Sequence, residues 1–370
     1  MNKRIACFHL YNDYSGSPSV LRVVLEGLLA QGREVDLFTS RGGILDELPQ
    51  GERLCRITYP YRFSVRPVLT LLCYAAVQCY TALFALRYLF RRDVVFYINT
   101  ILPLGPALVG RLMGKRVVYH YHENAFVKGA FYGLLARCMQ VLATDIVCVS
   151  AYQRSFLKRQ ERVSVIPNAL APALAERLHP DPESSFERPC ILMPGSLKIY
   201  KGMREFFALA ESLPQFHFEL VVNDTQEHID EFLTEQGISV PTNLTMFPRQ
   251  EDMAPFYNRA SLVLNLSRPE LFIETFGLTA LEAMTAGVPV IVPPVGGIAE
   301  MVEDGVNGYH ADSREAELLT ARVRQVLEDR DLYLRLARGA LATAARYDAG
   351  RMVDAVEKII DGEYSTKKQA

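Results

Sequence analysis

Short apolar runs rich in valine, isoleucine and aromatic side chains recur along this chain. Between them lie longer stretches whose apolar residues return at helical spacing. RIACFHL at Arg4, EVDLFTS at Glu34, DVVFYIN at Asp93, RVVYHYH at Arg116, DIVCVS at Asp145 and RVSVIPN at Arg162 have the first character. SVLRVVLEGLLAQG, from Ser19 to Gly32, has the second and closes on a glycine, as a helix ending in left-handed backbone does. Strand, helix, strand repeated in this way predicts a parallel sheet with helices on both faces. The rhythm breaks at APALAERLHPDPESSFERP, residues 171–189, a proline-rich and charged stretch suited to a connection between domains. It resumes with CILMPG at Cys190, FELVVN at Phe218, NLTMF at Asn243, SLVLNLS at Ser261, VPVIVP at Val288 and NGYHA at Asn307. The expected architecture is α/β, with two doubly wound, Rossmann-like domains and ligand-binding loops at the carboxyl ends of their strands.

One helical segment does not fit the amphipathic pattern. VLTLLCYAAVQCYTALFAL, Val68 to Leu86, carries no charge and is flanked by Arg62 and Arg66 before it and Arg87, Arg91 and Arg92 after it. Its length suits a membrane span. Its position in the alternation suits a crossover helix, either buried or pressed into lipid headgroups, and the basic flanks favour the interfacial reading over the buried one.

Composition narrows the class. With 370 residues, 49% of them apolar, the chain is too long for one compact core and too apolar for disorder. The net charge of −2 hides an asymmetry: residues 1–180 hold 22 Lys and Arg against 12 Asp and Glu, leaving 18 against 30 in the remainder. A basic first half suggests an anionic membrane surface or a phosphate-bearing substrate. The seven cysteines form no C-x-x-C pair and mostly lie in apolar runs, so buried thiols, no disulfides and no zinc site are expected. The start, MNKRIACFHLYNDYSG, has too short an apolar run for a signal peptide, and a cytoplasmic location is expected.

The chemistry concentrates in LNLSRPELFIETFGLTALEAMTAGVPVIV. Glu274 precedes and Glu282 lies within a helix read from Leu278 to Ala286, which is stopped by Gly287. Gly277 allows close backbone approach, and the helix N-terminus offers N–H groups and a positive dipole end to a phosphate. The two carboxylates can accept hydrogen bonds from vicinal hydroxyls, one set from a sugar and one from a ribose. A second group is PGSLKIYKG, Pro194 to Gly202, after the first strand of the second domain, where Lys201 can reach a diphosphate.

GSLKIYKG, ETFGLTALEAMTAGVPVIV and GGIAEMVEDGVNGY together resemble the glycosyltransferases of family 4. The match covers most of the second half of the chain. SGSPSVLRVVLEGLLAQGREVDLFTS, VVYHYHE and VIPNAL extend it loosely into the first. The resemblance implies a GT-B fold, two Rossmann-like domains facing across a cleft, and retaining, metal-independent transfer from a nucleoside-diphosphate sugar. Its domains would be residues 1–175 on the acceptor side, a linker at 176–189, and a nucleotide-sugar domain at 190–348. AGRMVDAVEKIIDGEY resembles the last helix of the family, so residues 349–370 would pack back on the first domain.

Carried over by position, the resemblance implies that Glu274 holds donor-sugar hydroxyls and Glu282 the ribose, while backbone N–H groups of Phe276, Gly277, Leu278 and Thr279 meet sugar and phosphate oxygens. Lys201 would neutralise the leaving diphosphate. Gly16 and Ser17 would approach the phosphate, and His122 the sugar. The family usually has an arginine where this chain has Ser196, so Lys198, Arg249 or Arg268 would have to replace it. No cofactor and no metal are implied. The expected partners are a nucleotide sugar, a glycan or lipid-linked acceptor in bacterial cell-surface polysaccharide or glycolipid assembly, and an anionic membrane surface; no nucleic acid is expected. A nucleotide-sugar epimerase or hydrolase of the same fold and a non-catalytic sugar-binding protein are the rival readings.

Overall fold

The computed structural model describes residues 3–61, 66–126 and 128–363. Arg62 and the end of the 349–370 segment therefore lie outside the described residues. The chain forms two compact units, Met1–Ala171 with Ala349–Ala370, and Pro172–Asp348.

The first unit is built on seven parallel strands, β1 (Arg4–Phe8), β2 (Val35–Thr39), β3 (Leu54–Thr58), β4 (Val94–Asn99), β5 (Arg116–Tyr121), β6 (Asp145–Cys148) and β7 (Val163–Val165), in the order β3-β2-β1-β4-β5-β6-β7. Six of them are the runs read from the sequence. The seventh, β3, lies in LCRIT, where Arg56 interrupts the apolar pattern; it is an edge strand and its residues are mostly half-buried, so the pattern never becomes continuous. The strand order reverses direction between β1 and β4, and the loops that leave those two strands open the crevice where such sheets take ligands.

Helix α1 (Gly16–Ala30) buries Val20, Leu21, Val24, Leu25 and Leu28 against this sheet, and Gly32 follows it with φ +85°. The C-terminal helix Ala349–Asp361 lies on α1. A Cβ on Gly27 would fall 2.5 Å from Val353 Cγ2, so the two helices meet there at a distance only glycine permits. Arg33 Nε donates to Glu357 at 2.7 Å, and Gln31 to Asp354 at 2.8 Å.

Helix α2 (Pro67–Ala85) carries the charge-free segment, and the structure excludes the buried alternative for it. Only Val77, Thr81 and Ala85 of the helix are buried, a single stripe at four-residue spacing. The cysteines also depart from expectation: all seven are free, but Cys55, Cys73 and Cys79 are exposed, two of them because α2 is.

The second unit has six parallel strands, β8 (Cys190–Gly195), β9 (His217–Val222), β10 (Leu244–Phe247), β11 (Leu262–Leu264), β12 (Val290–Val292) and β13 (Gly308–His310), in the order β10-β9-β8-β11-β12-β13. All six runs read from the sequence are strands, and the strand order repeats that of the first unit up to its sixth strand. Here the reversal falls between β8 and β11.

Residues 176–189 are not a free connection: they are packed into this second unit, which begins at Pro172. Asp181 caps the short helix Pro182–Glu187 by accepting from Ser184 N at 3.2 Å. The Ser185 carbonyl accepts from the buried Ser261 hydroxyl at 2.5 Å, and Phe186 lies against Tyr333. Capping and one aromatic contact thus fold a stretch whose prolines and charges read as linker.

Candidate active site

In the second unit the predicted residues gather at the carboxyl ends of β8 and β11. After β8 the chain makes a 3₁₀ turn, Ile199–Lys201, and then passes through Gly202 into the helix Met203–Ser212; Lys201 thus ends a turn rather than opening the helix. Gly202 has φ +79°, and a Cβ on it would lie 2.3 Å from the Leu266 carbonyl oxygen. That close approach locks the turn to the loop after β11. The same contact line is extended by Arg268 N donating to Tyr200 O at 2.8 Å and by Tyr200 stacking on Phe272 at 5.0 Å.

Lys201 Nζ is thereby set 2.5 Å from Glu274 Oε1 and 4.2 Å from the centre of the Phe272 ring. Ser267 Oγ donates to the same carboxylate oxygen at 3.2 Å, and Asn265 Nδ2 lies 3.5 Å away. Burial alone would push the Glu274 carboxyl up, but Lys201 and these donors outweigh it and hold it below the ordinary value. Glu274 is consequently an ionised carboxylate with 17% of its side chain exposed, beside a cation with 23% exposed.

The backbone of Glu274 is held from the other side. Gly297 N donates to its carbonyl at 2.8 Å, and at Gly296, φ +102°, a Cβ would stand 2.5 Å from that oxygen. Gly277 then caps the helix Leu278–Thr285 with φ +97°, packed so tightly on Ile298 that a Cβ would meet Cγ1 at 2.4 Å. Leu278 and Thr279 open that helix and are half-buried, while Phe276 is buried against Tyr347. The N–H groups of Leu278 and Thr279 occupy first-turn positions, which have no partner within a helix; Phe276 precedes the cap.

One turn further on, Glu282 accepts a hydrogen bond from the buried Tyr257 hydroxyl. Burial pushes its carboxyl up to about 7, with Tyr257 pulling the other way. The two glutamates of this segment therefore differ in charge near neutral pH, Glu274 ionised and Glu282 close to half-protonated.

Among the candidate replacements for an arginine at Ser196, Arg268 is committed elsewhere: its guanidinium bonds Glu205, with Nε at 2.9 Å. Lys198 is exposed on the same loop as Ser196, where its charge acts on Asp224. Arg249 follows the end of β10, its backbone N donating to Asp224 O at 2.8 Å.

In the first unit the loops after β1, β4 and β5 meet through Asn99. Its Oδ1 lies 3.1 Å from His122 Nε2, and its Nδ2 lies 3.0 Å from His9 Nδ1 and 3.4 Å from the Ser17 carbonyl. His122 and the Gly16–Ser17 start of α1 are thus joined by a residue with no motif of its own. His120, two residues before His122, is fully buried and bonded to Tyr97 OH at 2.6 Å, which makes it a core histidine. Burial, with His120 and His9 nearby, holds His122 well below the ordinary histidine range, so it is neutral at physiological pH. Thr100, next to Asn99, has φ +71°, a strained conformation of the kind found at functional loops.

A metal-ligand trio is present elsewhere in the second unit: Cys190, His217 and Glu219 bring ligand-type atoms within 4.8 Å of one another. It lies at the amino ends of β8 and β9, the edge opposite to Lys201, and the Arg259 guanidinium already bonds both Glu219 oxygens at 3.0 Å.

The second unit is thus a doubly wound domain with a lysine–glutamate pair at its switch point and a glycine-capped helix beside it. Comparison with known proteins names its class. Residues 175–342 match the family of glycosyl transferases group 1, and residues 14–174 match glycosyltransferase family 4. The chain belongs to this glycosyltransferase family and has the GT-B fold.

It is similar to the D-inositol 3-phosphate glycosyltransferase of Thermobispora bispora, 34% identical over 113 residues, which are 30% of this chain and 26% of that protein. The aligned stretch thus covers a minor part of the relative. Two solved structures share the fold. HepE of Anabaena, in complex with UDP and glucose, aligns with TM-score 0.76 and 17% identity over 97% of this chain and 99% of its own. Sucrose-phosphate synthase of Thermosynechococcus elongatus aligns with TM-score 0.78 and 18% identity over 97% of this chain and 98% of its own.

Sequence reasoning missed Asn265, Ser267, Tyr257, His9 and Asn99. Asn265 and Ser267 stood in the quoted segment and could have been found as polar residues just past a strand end. The other three carried no local signal.

Proposed function

We propose that this chain is a retaining, metal-independent glycosyltransferase that moves a sugar from a nucleoside-diphosphate sugar to an acceptor hydroxyl, in the assembly of bacterial cell-surface polysaccharide or glycolipid at the cytoplasmic face. The reading rests on the ionised Glu274 bonded to Lys201 beside the capped helix N-terminus. Glu274 takes hydroxyls of the donor sugar, Glu282 those of the ribose, and the first N–H groups of the helix Leu278–Thr285 take diphosphate oxygens. Lys201 neutralises charge as the bond from the anomeric carbon to the diphosphate oxygen breaks. Ser196 and Arg249 are assigned to the same donor. His122, neutral and oriented by Asn99, serves as a hydrogen-bonding group at the sugar, and Gly16 and Ser17 present backbone to phosphate.

Retention follows if the acceptor oxygen bonds the anomeric carbon on the face the diphosphate leaves, its proton passing to the departing diphosphate oxygen. Glu274 is held by Lys201, Ser267 and Asn265, which suits it to binding hydroxyls better than to nucleophilic attack. HepE, solved in complex with UDP and glucose, makes UDP-sugars the first donors to assay.

The test is a panel of nucleotide sugars with and without glycan and lipid-linked acceptors, following nucleoside diphosphate release in the presence of a chelator. Release that needs an acceptor and vanishes in Glu274→Ala, whose unfolding midpoint stays near that of the parent, is expected. Full turnover by Glu274→Ala, or conversion of the donor without an acceptor, overturns the assignment.

A further inference from the structure

We propose that the outer surface of α2, with the helices Leu104–Leu112 (α3) and Ala130–Leu142 (α4) beside it, seats the first unit in the interface of an anionic lipid bilayer. A soluble protein rarely leaves a continuous apolar face of this kind in water. Val68 is 69% exposed, Leu72 60%, Leu83 67% and Phe90, just beyond the helix, 93%. No charged residue interrupts the segment from Val68 to Leu86.

The face continues onto neighbouring helices. α2 crosses α3 so closely at Gly105 that a Cβ there would lie 2.4 Å from the Gln78 carbonyl oxygen, and Tyr74 of α2 meets Phe131 of α4 edge to face at 5.8 Å. On α3, Leu108 and Leu112 are exposed one turn apart; on α4, Phe131, Leu134 and Val141 are exposed on one stripe. Because helical backbone satisfies its own polar groups, only side chains need to meet lipid.

Charge selects the occupant. Between Arg66 and Leu142 the chain has nine Lys and Arg against two acids, Asp93 and Glu123, and Arg87, Arg92 and Arg111 are exposed at helix ends around the apolar face. A second copy of the chain packed on this face would bring two sets of like charges together with almost no acid to match them. Anionic headgroups match them directly, and the leucines enter the acyl boundary below. A full span is disfavoured by topology: α2 is the crossover between β3 and β4 of one sheet, and sinking it through the bilayer would carry strand edges and loops into hydrocarbon. This inference stands on the first unit alone and does not depend on the sugar chemistry.

The experiment is flotation of the full chain with phosphatidylcholine vesicles, with and without phosphatidylglycerol. The parent is expected to float with the anionic vesicles at low salt, to be released by alkaline carbonate, and to bind neutral vesicles weakly. Leu72→Asp with Leu83→Asp should lose flotation while keeping the thermal midpoint, since neither side chain packs in the core. Arg87→Gln and Arg92→Gln should each weaken partitioning about fivefold. Absence of flotation at low salt, indifference to all four substitutions, retention after carbonate, or a dimer in solution that Leu72→Asp and Leu83→Asp dissociate while flotation persists would each overturn the proposal.

Discussion

Replacement of Glu282 by glutamine isolates one proton and its free energy. The Glu282 carboxyl is withdrawn from water and takes the Tyr257 hydroxyl, and its affinity for a proton rises from an ordinary value of 4.5 to about 7. Below about pH 4.5 the folded and unfolded chains both hold the proton and the residue costs nothing in charge burial. Between there and about pH 7 only the folded chain holds it, so every rise in pH favours unfolding. Above pH 7 the folded chain carries a half-buried carboxylate, a cost of at most about 3 kcal/mol.

Glutamine keeps the shape and does not titrate. The stability of the parent minus that of Glu282→Gln should therefore fall by up to about 3 kcal/mol from about pH 4.5 to 8, with most of the change centred between the two pKa values. Urea unfolding of both proteins across that range measures it, and taking the difference cancels every other titrating group. Tyr257→Phe removes the donor that favours the ionised form, and in that background the fall should be larger and extend to higher pH at the same slope. Curves for the parent and Glu282→Gln that run parallel across the range would refute the reasoning.

Two further substitutions probe the neighbouring elements. Gly277→Ala forces a side chain into φ +97° and against Ile298, and should lower stability by about 1–3 kcal/mol with loss of nucleotide binding, measured by thermal unfolding and calorimetric titration with UDP; an unchanged midpoint would contradict the packing. Lys201→Met removes the cation that holds Glu274 ionised, so kcat/KM should fall by about 10²–10³ and the acid limb of the pH profile should move upward as the Glu274 carboxyl rises; a parental profile would sink the pairing.

The alternation of strand and helix along the chain was enough to predict two doubly wound units, because a parallel sheet covered on both faces demands near-continuous apolar strands. All six strands of the second unit and six of the seven in the first were readable for that reason, and β3 was not, since an edge strand needs no such run. The segment around Gly277 was also local: a glycine before a helix with a carboxylate on each side states its geometry within nine residues.

Tertiary structure decided what depends on distance in space rather than along the chain. Lys201 and Glu274 are 73 residues apart and meet because Gly202 lets one loop close on another. Tyr257 and Asn99 became site residues only once β-strand order placed them beside Glu282 and His122. The α2 segment shows the same limit from the other side. Its sequence fits a span, a buried helix and an interfacial one equally in length, and only the burial of a single stripe, set by how it crosses α3, shows that its apolar side chains face outward.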